Sequence, residues 1–289
     1  MRTLRTVADL RADLDGPRRA GHSIGLVPTM GALHEGHLSL IRRARASCDV
    51  VVVTLFVNRA QFDESADLEA YPRDEQRDAQ LAAQGGADVL FAPAPDEVYP
   101  PGFATTVSVA GIGAALEGEQ RGREHFDAVA TVVVKLLNMA GPDVVFFGQK
   151  DAQQVAIIRR LVRDLDIPVR IEVGATVREP DGLALSSRNV RIAGGDRDRA
   201  LALRSGIDAA RACAEAGERD GAAIVAAGRA AMNALSVEPE YLELVAPDTF
   251  ASVSQLNGEP VLVAVAARVG DVRLIDNEIL EPASAHRRP

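Results

Sequence analysis

The stretch that most restricts the fold is Val50-Val51-Val52-Val53-Thr54-Leu55-Phe56. Its near-continuous apolar, β-branched character leaves no polar face, so it reads as a strand buried on both sides, as in a parallel sheet covered by helices. Upstream, Ile24 to Val27 is a short apolar strand ended by Pro28, and Leu38, Ile41 and Ala44 then recur on one helix face. Strand, helix, strand in succession implies a parallel pair.

The rest of the first half repeats that alternation. Val7, Leu10 and Leu14 predict an amphipathic opening helix that stops near Gly16-Pro17. Helices are expected at Arg73 to Gln84, at Ala128 to Met139 (apolar nearly all round except Lys135) and at Ala152 to Asp164. Further strands are expected at Asp88 to Phe91, Asp143 to Phe147 and Val169 to Val173, with a short extra strand at Thr105 to Val109. Gly111 to Glu124 reads as a glycine-rich, charged loop free to move.

The composition changes at Ala193-Gly194-Gly195-Asp196-Arg197-Asp198, which places a boundary there. Two alanine-rich helices, Leu201 to Ala216 and Ala222 to Leu235, precede three strand-like segments, Glu240 to Val245, Pro260 to Ala267 and Asp271 to Asp276. Alternation in those segments predicts a small antiparallel sheet with the helices on one face, and Ala283 to Pro289 reads as a frayed tail. The fold class is therefore α/β: a Rossmann-like parallel-sheet domain over 1–188 and a smaller α+β domain over 189–289.

Charge narrows the function. A net charge of -9 over 289 residues argues against nucleic-acid or membrane surfaces, so an anionic substrate must be met by local basic groups. Met1 to Leu10 contains no continuous hydrophobic segment, so neither a signal peptide nor a spanning helix is expected there, and the cytoplasm is the expected compartment. Cys48 and Cys213, far apart in apolar helical stretches, are expected as buried free thiols.

The turn after the Ile24 to Val27 strand reads Pro28-Thr29-Met30-Gly31-Ala32-Leu33-His34-Glu35-Gly36-His37. A helix N-terminus presents unpaired amides and the positive end of its dipole, which suits phosphate, and Gly31 and Gly36 allow close backbone approach. His34 and His37, three apart, would share one helical face and point to a ligand. Neither standard nucleotide fingerprint is present, and a zinc site lacks companion ligands. Asn58 and Gln61 follow the carboxyl end of the Val50 strand, where open α/β sheets place ligands, and Gly148-Gln149-Lys150-Asp151 follows the next buried strand in the same way. Ser186, Ser187 and Arg188 offer two hydroxyls and a guanidinium, donors suited to phosphate oxygens.

Taken together, P-T-M-G-A-L-H-E-G-H, F-V-N-x-x-Q-F, Y-P-R, F-F-G-Q-K-D-A-Q-Q, V-R-E-P-D-G-L-A-L-S-S-R-N and L-I-D-N resemble the pantoate–β-alanine ligase family, from the first helix to the final strand. The resemblance implies an HxGH nucleotidyltransferase relative, homodimeric, joining pantoate to β-alanine while ATP goes to AMP and pyrophosphate through a pantoyl-adenylate. It implies ATP and Mg²⁺ as reaction partners, with the metal's ligands unknown. ATP would be held by Met30, Gly31, His34, Gly36, His37, Gly148, Lys150, Asp151, Val177, Leu185, Ser186, Ser187 and Arg188. His37, His34, Lys150 and Arg188 would act on the phosphates, with protonated histidine as one source of positive charge. Gln61 and Gln154 would hold pantoate, Asn58 and Tyr71 would line the acid and amine region, and the C-terminal domain would act as a lid, with Gly111 to Glu124 a covering loop.

The chain departs from the family pattern at Arg59, where Pro is usual, in the longer segment Arg121-Gly122-Arg123-Glu124-His125, at Ala128, where Gly is usual, and at Leu185, where Met is usual. Those positions leave two alternatives: a related adenylate-forming ligase with a different acid or amine, or a catalytically silent nucleotide-binding homologue.

Overall fold

In the computed structural model the described residues are 1–62, 68–69 and 71–281, so the expectation of a frayed tail at Ala283 to Pro289 lies outside them. Contacts divide the chain into two compact units, Met1–Val177 and Arg178–Pro289. The domain division expected from the sequence falls later, between 188 and 189. Packing draws 178–188 into the second unit because Arg178 pairs with Ala184 across a hairpin and binds the Asp276 carboxylate.

Unit 1 runs β1 (Arg2–Leu4), α1 (Val7–Arg19), β2 (Ile24–Val27), α2 (Glu35–Ser47), β3 (Val50–Thr54), α3 (Glu75–Gly85), β4 (Val89–Phe91), α4 (Pro95–Val98), α5 (Glu117–Arg121), α6 (Arg123–Ala140), β5 (Val144–Gly148), α7 (Ala152–Asp164) and β6 (Arg170–Gly174). Among the described residues six strands form one parallel sheet in the order β1-β4-β3-β2-β5-β6. Right-handed crossovers then put α2 and α3 on one face and α1, α6 and α7 on the other. The packing agrees: α2 lies against α3, and α6 against α1 and α7. All of Val50 to Thr54 is buried, as its lack of a polar face requires. Leu10 and Leu14, fully buried under α1, contribute about 2 kcal/mol each by removal from water.

Strand order reverses at β2, whose two neighbours are β3 and β5. The turns after β2, β3 and β5 therefore leave the sheet side by side at the topological switch point, where such folds bind ligands.

Several local expectations need correction. Helix α1 does not stop at Gly16-Pro17 but runs to Arg19: Pro17 has a helix-compatible φ, and the Ala20 amide closes the turn on the Gly16 and Pro17 carbonyls. Arg2–Leu4 is an edge strand on β4, hidden in the sequence by its charge. Thr105 to Val109 forms no strand; its Val107 amide bonds the Thr131 hydroxyl on α6 instead of a strand partner. The 111–124 segment is not an open loop: it contains a 3-10 turn at Ile112–Ala114, then α5 and the start of α6, with Ile112 and Glu117 buried. Lys135 lies over the Phe103 and Tyr99 rings, its Nζ 4.6 Å and 5.9 Å from the centroids, so the cation on the apolar helix finds aromatic faces. Cys48 is a buried free thiol, whereas free Cys213 is only half-buried.

Unit 2 contains α8 (Arg197–Ala200), α9 (Ala202–Glu215), α10 (Gly221–Ala234), β7 (Tyr241–Val245), β8 (Val261–Val269) and β9 (Val272–Leu280). Among the described residues the three strands form an antiparallel sheet ordered β7-β8-β9. Leu203, Ile207 and Ile224 from α9 and α10 close its core against Val263 and Val265. The helices meet where Gly206 faces Gly228, and a Cβ on Gly228 would lie 2.9 Å from the Gly206 carbonyl, so small residues set that approach.

Candidate active site

The turn after β2 is built from within. Thr29 donates its hydroxyl to the Thr54 carbonyl at 2.5 Å and accepts from the Gly31 amide, which ties the turn to the end of β3. Gly31 (φ +89°) and Ala32 (φ +50°) are both left-handed, a costly pair when the second is not glycine. That conformation is held by Asp78 of α3, a carboxylate only 1% exposed, which accepts from the Ala32 amide at 2.9 Å and the Leu33 amide at 2.7 Å. A Cβ on Gly31 would come within 2.7 Å of Leu55 and 2.9 Å of Asp78, so only glycine fits there.

His34 is not a helical residue sharing a face with His37, as the spacing predicts. It is the N-cap of α2 in extended backbone, and His37 lies in the first turn. The Gly36 amide donates to His34 Nδ1 at 3.1 Å, and the His34 amide donates to His37 Nδ1 at 3.3 Å. Both Nδ1 atoms accept, so each neutral ring carries its proton on Nε2. The rings lie 4.2 Å apart, and a Cβ on Gly36 would come within 2.9 Å of the His34 ring, so a side chain there would push the ring aside.

Burial is the chief cause that lowers His34 to about 4, helped by the Lys150 cation and opposed by Asp151; burial also lowers His37 to about 3, helped by His34 and Lys150. The expectation of a protonated histidine is therefore corrected for this state: a partly desolvated pair beside a lysine stays neutral at pH 7. Positive charge at this end of the sheet comes from Lys150, on the 3-10 turn Gln149–Asp151 after β5, with Nζ 3.6 Å from the Asp151 carboxylate. Met30, Gly36 and Gly148 are half-buried on these two turns, Asp151 is exposed, Gln154 is half-buried on the first turn of α7, and Val177 is half-buried beyond β6.

The third turn, after β3, holds the 3-10 segment Arg59–Gln61. Asn58, 1% exposed, donates through Nδ2 to Gln61 Oε1 at 3.0 Å and to the Ala128 carbonyl at 3.3 Å. The Gln61 backbone carbonyl accepts from Arg121 Nη2 at 3.1 Å and from His125 Nδ1 at 3.0 Å. Arg59 is exposed, and buried Tyr71 stacks edge-on against Phe62 at 5.4 Å. Gln153, buried beside Gln154, donates through Nε2 to the Ile112 and Ala115 carbonyls at 2.7 Å each and accepts from the Glu117 amide. One glutamine thus fastens the 112–117 segment to α7.

Leu185, Ser186, Ser187 and Arg188 belong to unit 2. There the Ser186 hydroxyl accepts from the Arg188 amide at 3.2 Å, and Asn189 Nδ2 bonds Glu179 Oε1 and the Ala184 carbonyl. Arg178 grips buried Asp276 with both terminal nitrogens, at 2.6 Å and 3.0 Å, and holds the Gly182 carbonyl. The L-I-D-N motif thereby acquires a structural role, since its aspartate fixes the hairpin from which the serines extend.

The sequence did not reveal Asp78, Gln153, Asp276 or the partners of Arg121 and His125. A signal did exist for Asp78: it precedes Ala82 by four residues, and both are buried on α3, so a carboxylate stands in line with that helix's buried face. Among the described residues no group of three or more His, Cys, Asp or Glu side chains could hold a metal, and no helix is long and apolar enough to cross a membrane.

Comparison with known proteins agrees with this architecture. The family model described as pantoate-beta-alanine ligase matches residues 2–279. A pantothenate synthetase of Cereibacter sphaeroides is 56% identical over 278 residues, covering 95% of this chain and 98% of its own. The crystal structure of pantothenate synthetase from Thermus thermophilus has a TM-score of 0.92 at 44% identity, covering 98% of this chain and all of that one (100%). That of a Francisella tularensis pantoate-beta-alanine ligase, complexed with beta-gamma ATP and beta-alanine, has a TM-score of 0.76 at 34% identity, covering 98% and 99%. With matches of that identity and extent, the chain belongs to the pantoate–β-alanine ligase family.

Proposed function

We propose that this chain is an ATP-dependent ligase that joins pantoate to β-alanine through a pantoyl-adenylate, releasing AMP and pyrophosphate. The observation that carries this reading is the pair of Nε2–H donors on a helix N-terminus beside Lys150. Family membership and the relative that binds ATP and β-alanine support it.

A carboxylate is ionised at neutral pH, so its attack on the α-phosphorus of ATP needs alignment and charge stabilisation more than a base. Pantoate oxygen forms the new bond as pyrophosphate leaves. Negative charge grows on the leaving group, and His34 and His37 donate to it from Nε2 while Lys150 supplies a full positive charge. Neutral donors whose Nδ1 atoms are already committed need little rearrangement when the phosphates arrive. The amine of β-alanine, having lost a proton to solvent, then attacks the acyl carbon; the acyl C–O bond to AMP breaks, and the second amine proton leaves to solvent as the amide forms.

Pantoate is assigned to Gln61 and Gln154, with Asn58 and Tyr71 lining the acid and amine region. Because Asn58 donates to Gln61 Oε1, the Gln61 Nε2 protons point elsewhere and suit an anionic or hydroxylated acid. Gly148, Gln149, Asp151 and Val177 are assigned to adenosine, and Met30, Gly31 and Gly36 to backbone contacts with ATP. In the second unit Leu185, Ser186, Ser187 and Arg188 are assigned to the nucleotide through their hydroxyl and guanidinium donors.

Mg²⁺ enters as part of the nucleotide substrate. Both Asp78 oxygens are committed to amides, so Asp78 is not offered to the metal; bound to the phosphate oxygens, Mg²⁺ would neutralise phosphate charge. We assign residues 111–124 to covering the reactants, which would keep water from the adenylate. A homodimer is assigned on the family resemblance and is checked by sedimentation.

The test incubates the protein with Mg·ATP and pantoate and follows pyrophosphate exchange, then AMP release on adding β-alanine. Pantoate-dependent exchange followed by AMP is the expected result. ADP as product contradicts the adenylate, and exchange with another acid but none with pantoate favours the changed-substrate alternative that the departures at Arg59, 121–125 and Ala128 raise.

A further inference from the structure

Two donors from the segment that departs from the family pattern meet on one acceptor. Arg121 closes α5 and His125 lies in the first turn of α6, and both bond the backbone carbonyl of Gln61, at 3.1 Å and 3.0 Å. A carbonyl oxygen has two lone pairs, so this one is saturated, and His125 Nδ1 must carry a proton because the carbonyl can only accept. The Gln61 side chain is fixed separately, its Oε1 held by Asn58, which in turn leans on the Ala128 carbonyl of α6. Gln61 is thus gripped at backbone and side chain by α5, α6 and its own turn, although it stands on a surface turn that would otherwise move freely.

The segment that grips it is itself secured. Glu117, at the start of α5, donates its amide to Gln153 Oε1, and Gln153 is anchored in α7 next to Gln154. A chain of bonds therefore runs from the first turn of α7 through α5 to Gln61, linking the two glutamines assigned to the acid. His125 is only 9% exposed, so its contact with Gln61 is shielded from water, where a hydrogen bond is worth more.

We propose that Arg121 and His125 are positioning residues that latch the Gln61 carbonyl and so set the acid-binding turn of this chain. The latch rests on the assignment of Gln61 to pantoate. Both residues act through the Gln61 carbonyl, so the effect expected of them is on affinity for the acid and not on the chemical step or on ATP.

The test measures pyrophosphate exchange against pantoate concentration at saturating Mg·ATP, and against ATP at saturating pantoate. The proteins are the full chain and its Gln61→Ala, Arg121→Ala, His125→Leu, His125→Asn and Arg121→Ala/His125→Leu variants. Loss of one donor should raise the pantoate KM about threefold to fivefold and loss of both about tenfold or more, with kcat and the ATP KM within about twofold of the parent. His125→Asn, whose amide nitrogen falls near the position of Nδ1, should restore the parent KM, and it keeps the test valid if His125→Leu fails to fold. An unchanged pantoate KM in the double variant, with Gln61→Ala raising it, overturns the latch and leaves the role of Gln61 standing. An unchanged KM in Gln61→Ala overturns the assignment of Gln61 and the latch together. A parallel rise in the ATP KM, or no rescue by His125→Asn, shows a general structural defect and also overturns the proposal.

Discussion

The turns after β2 and β3 leave neighbouring strands of one sheet, yet they are held in opposite ways. The β2 turn is fixed by bonds among its own residues, the His34 and His37 rings accepting from the Gly36 and His34 amides, together with one distant carboxylate, Asp78 of α3, that anchors the left-handed pair before them. The β3 turn is fixed from outside, with Arg121 and His125 on the Gln61 carbonyl, more than sixty residues away in sequence for His125. Phosphate is common to many reactions, and the element proposed to meet it carries its donors at one helix N-terminus. The acid distinguishes this reaction from its relatives, and its turn takes its shape from surrounding segments that can change without disturbing the phosphate site.

The largest expected effect lies in the β2 turn. His37→Ala removes one Nε2–H donor and the acceptor of the His34 amide, and should slow pantoate-dependent pyrophosphate exchange by about 10²–10³-fold, measured as kcat. Asp78→Asn is next: one of two buried amides would face an NH₂ group, at a cost of about 2 kcal/mol in denaturant titration, and a cost near zero would show that the turn holds itself without α3.

How much of this was legible follows the same division. The parallel sheet and the antiparallel C-terminal sheet were readable because burial on two faces, or on one, leaves a pattern in consecutive residues. The histidine turn was readable in part because its own residues are contiguous, whereas Asp78, which holds its left-handed pair, lies some 45 positions away. What was hidden is long-range or local chemistry that spacing does not encode: the His34 cap breaks the helical face inferred from i, i+3 spacing, and histidine charge depends on burial that no sequence states. The 111–124 segment looked like open loop because its order comes from Gln153, a residue some 40 positions downstream of Ile112. Helix α1 shows a smaller failure of the same kind, since Pro17 lies in the final turn, where little of the helix remains for it to disrupt.

Smaller effects sharpen the contrast. Gly36→Ala places a Cβ 2.9 Å from the His34 ring and should raise the ATP KM about tenfold by displacing the cap, while leaving α2 no less stable because alanine favours helix. Folding stability should also report the two histidines. Their folded values, about 4 and about 3, lie below the ordinary 6.5, so the unfolded chain binds more protons and stability falls as pH drops from 6.5 towards 4. A His34→Asn/His37→Asn variant should show a flatter stability profile than the parent over that interval. The smallest effect is expected at Arg59, whose exposed side chain should make Arg59→Ala worth less than about 0.5 kcal/mol in stability.

The central claim is that the β2 turn offers phosphate two neutral imidazoles, each protonated on Nε2. Nitrogen-15 NMR of the histidine-labelled protein, recorded without ligand from pH 7.5 down to 5, tests it most directly. His34 and His37, assigned by single substitution, should keep the shifts of the neutral Nε2–H form throughout, because their folded values lie at about 4 and about 3. An imidazolium signal from either ring near pH 6.5, or a neutral ring protonated on Nδ1, would contradict the account.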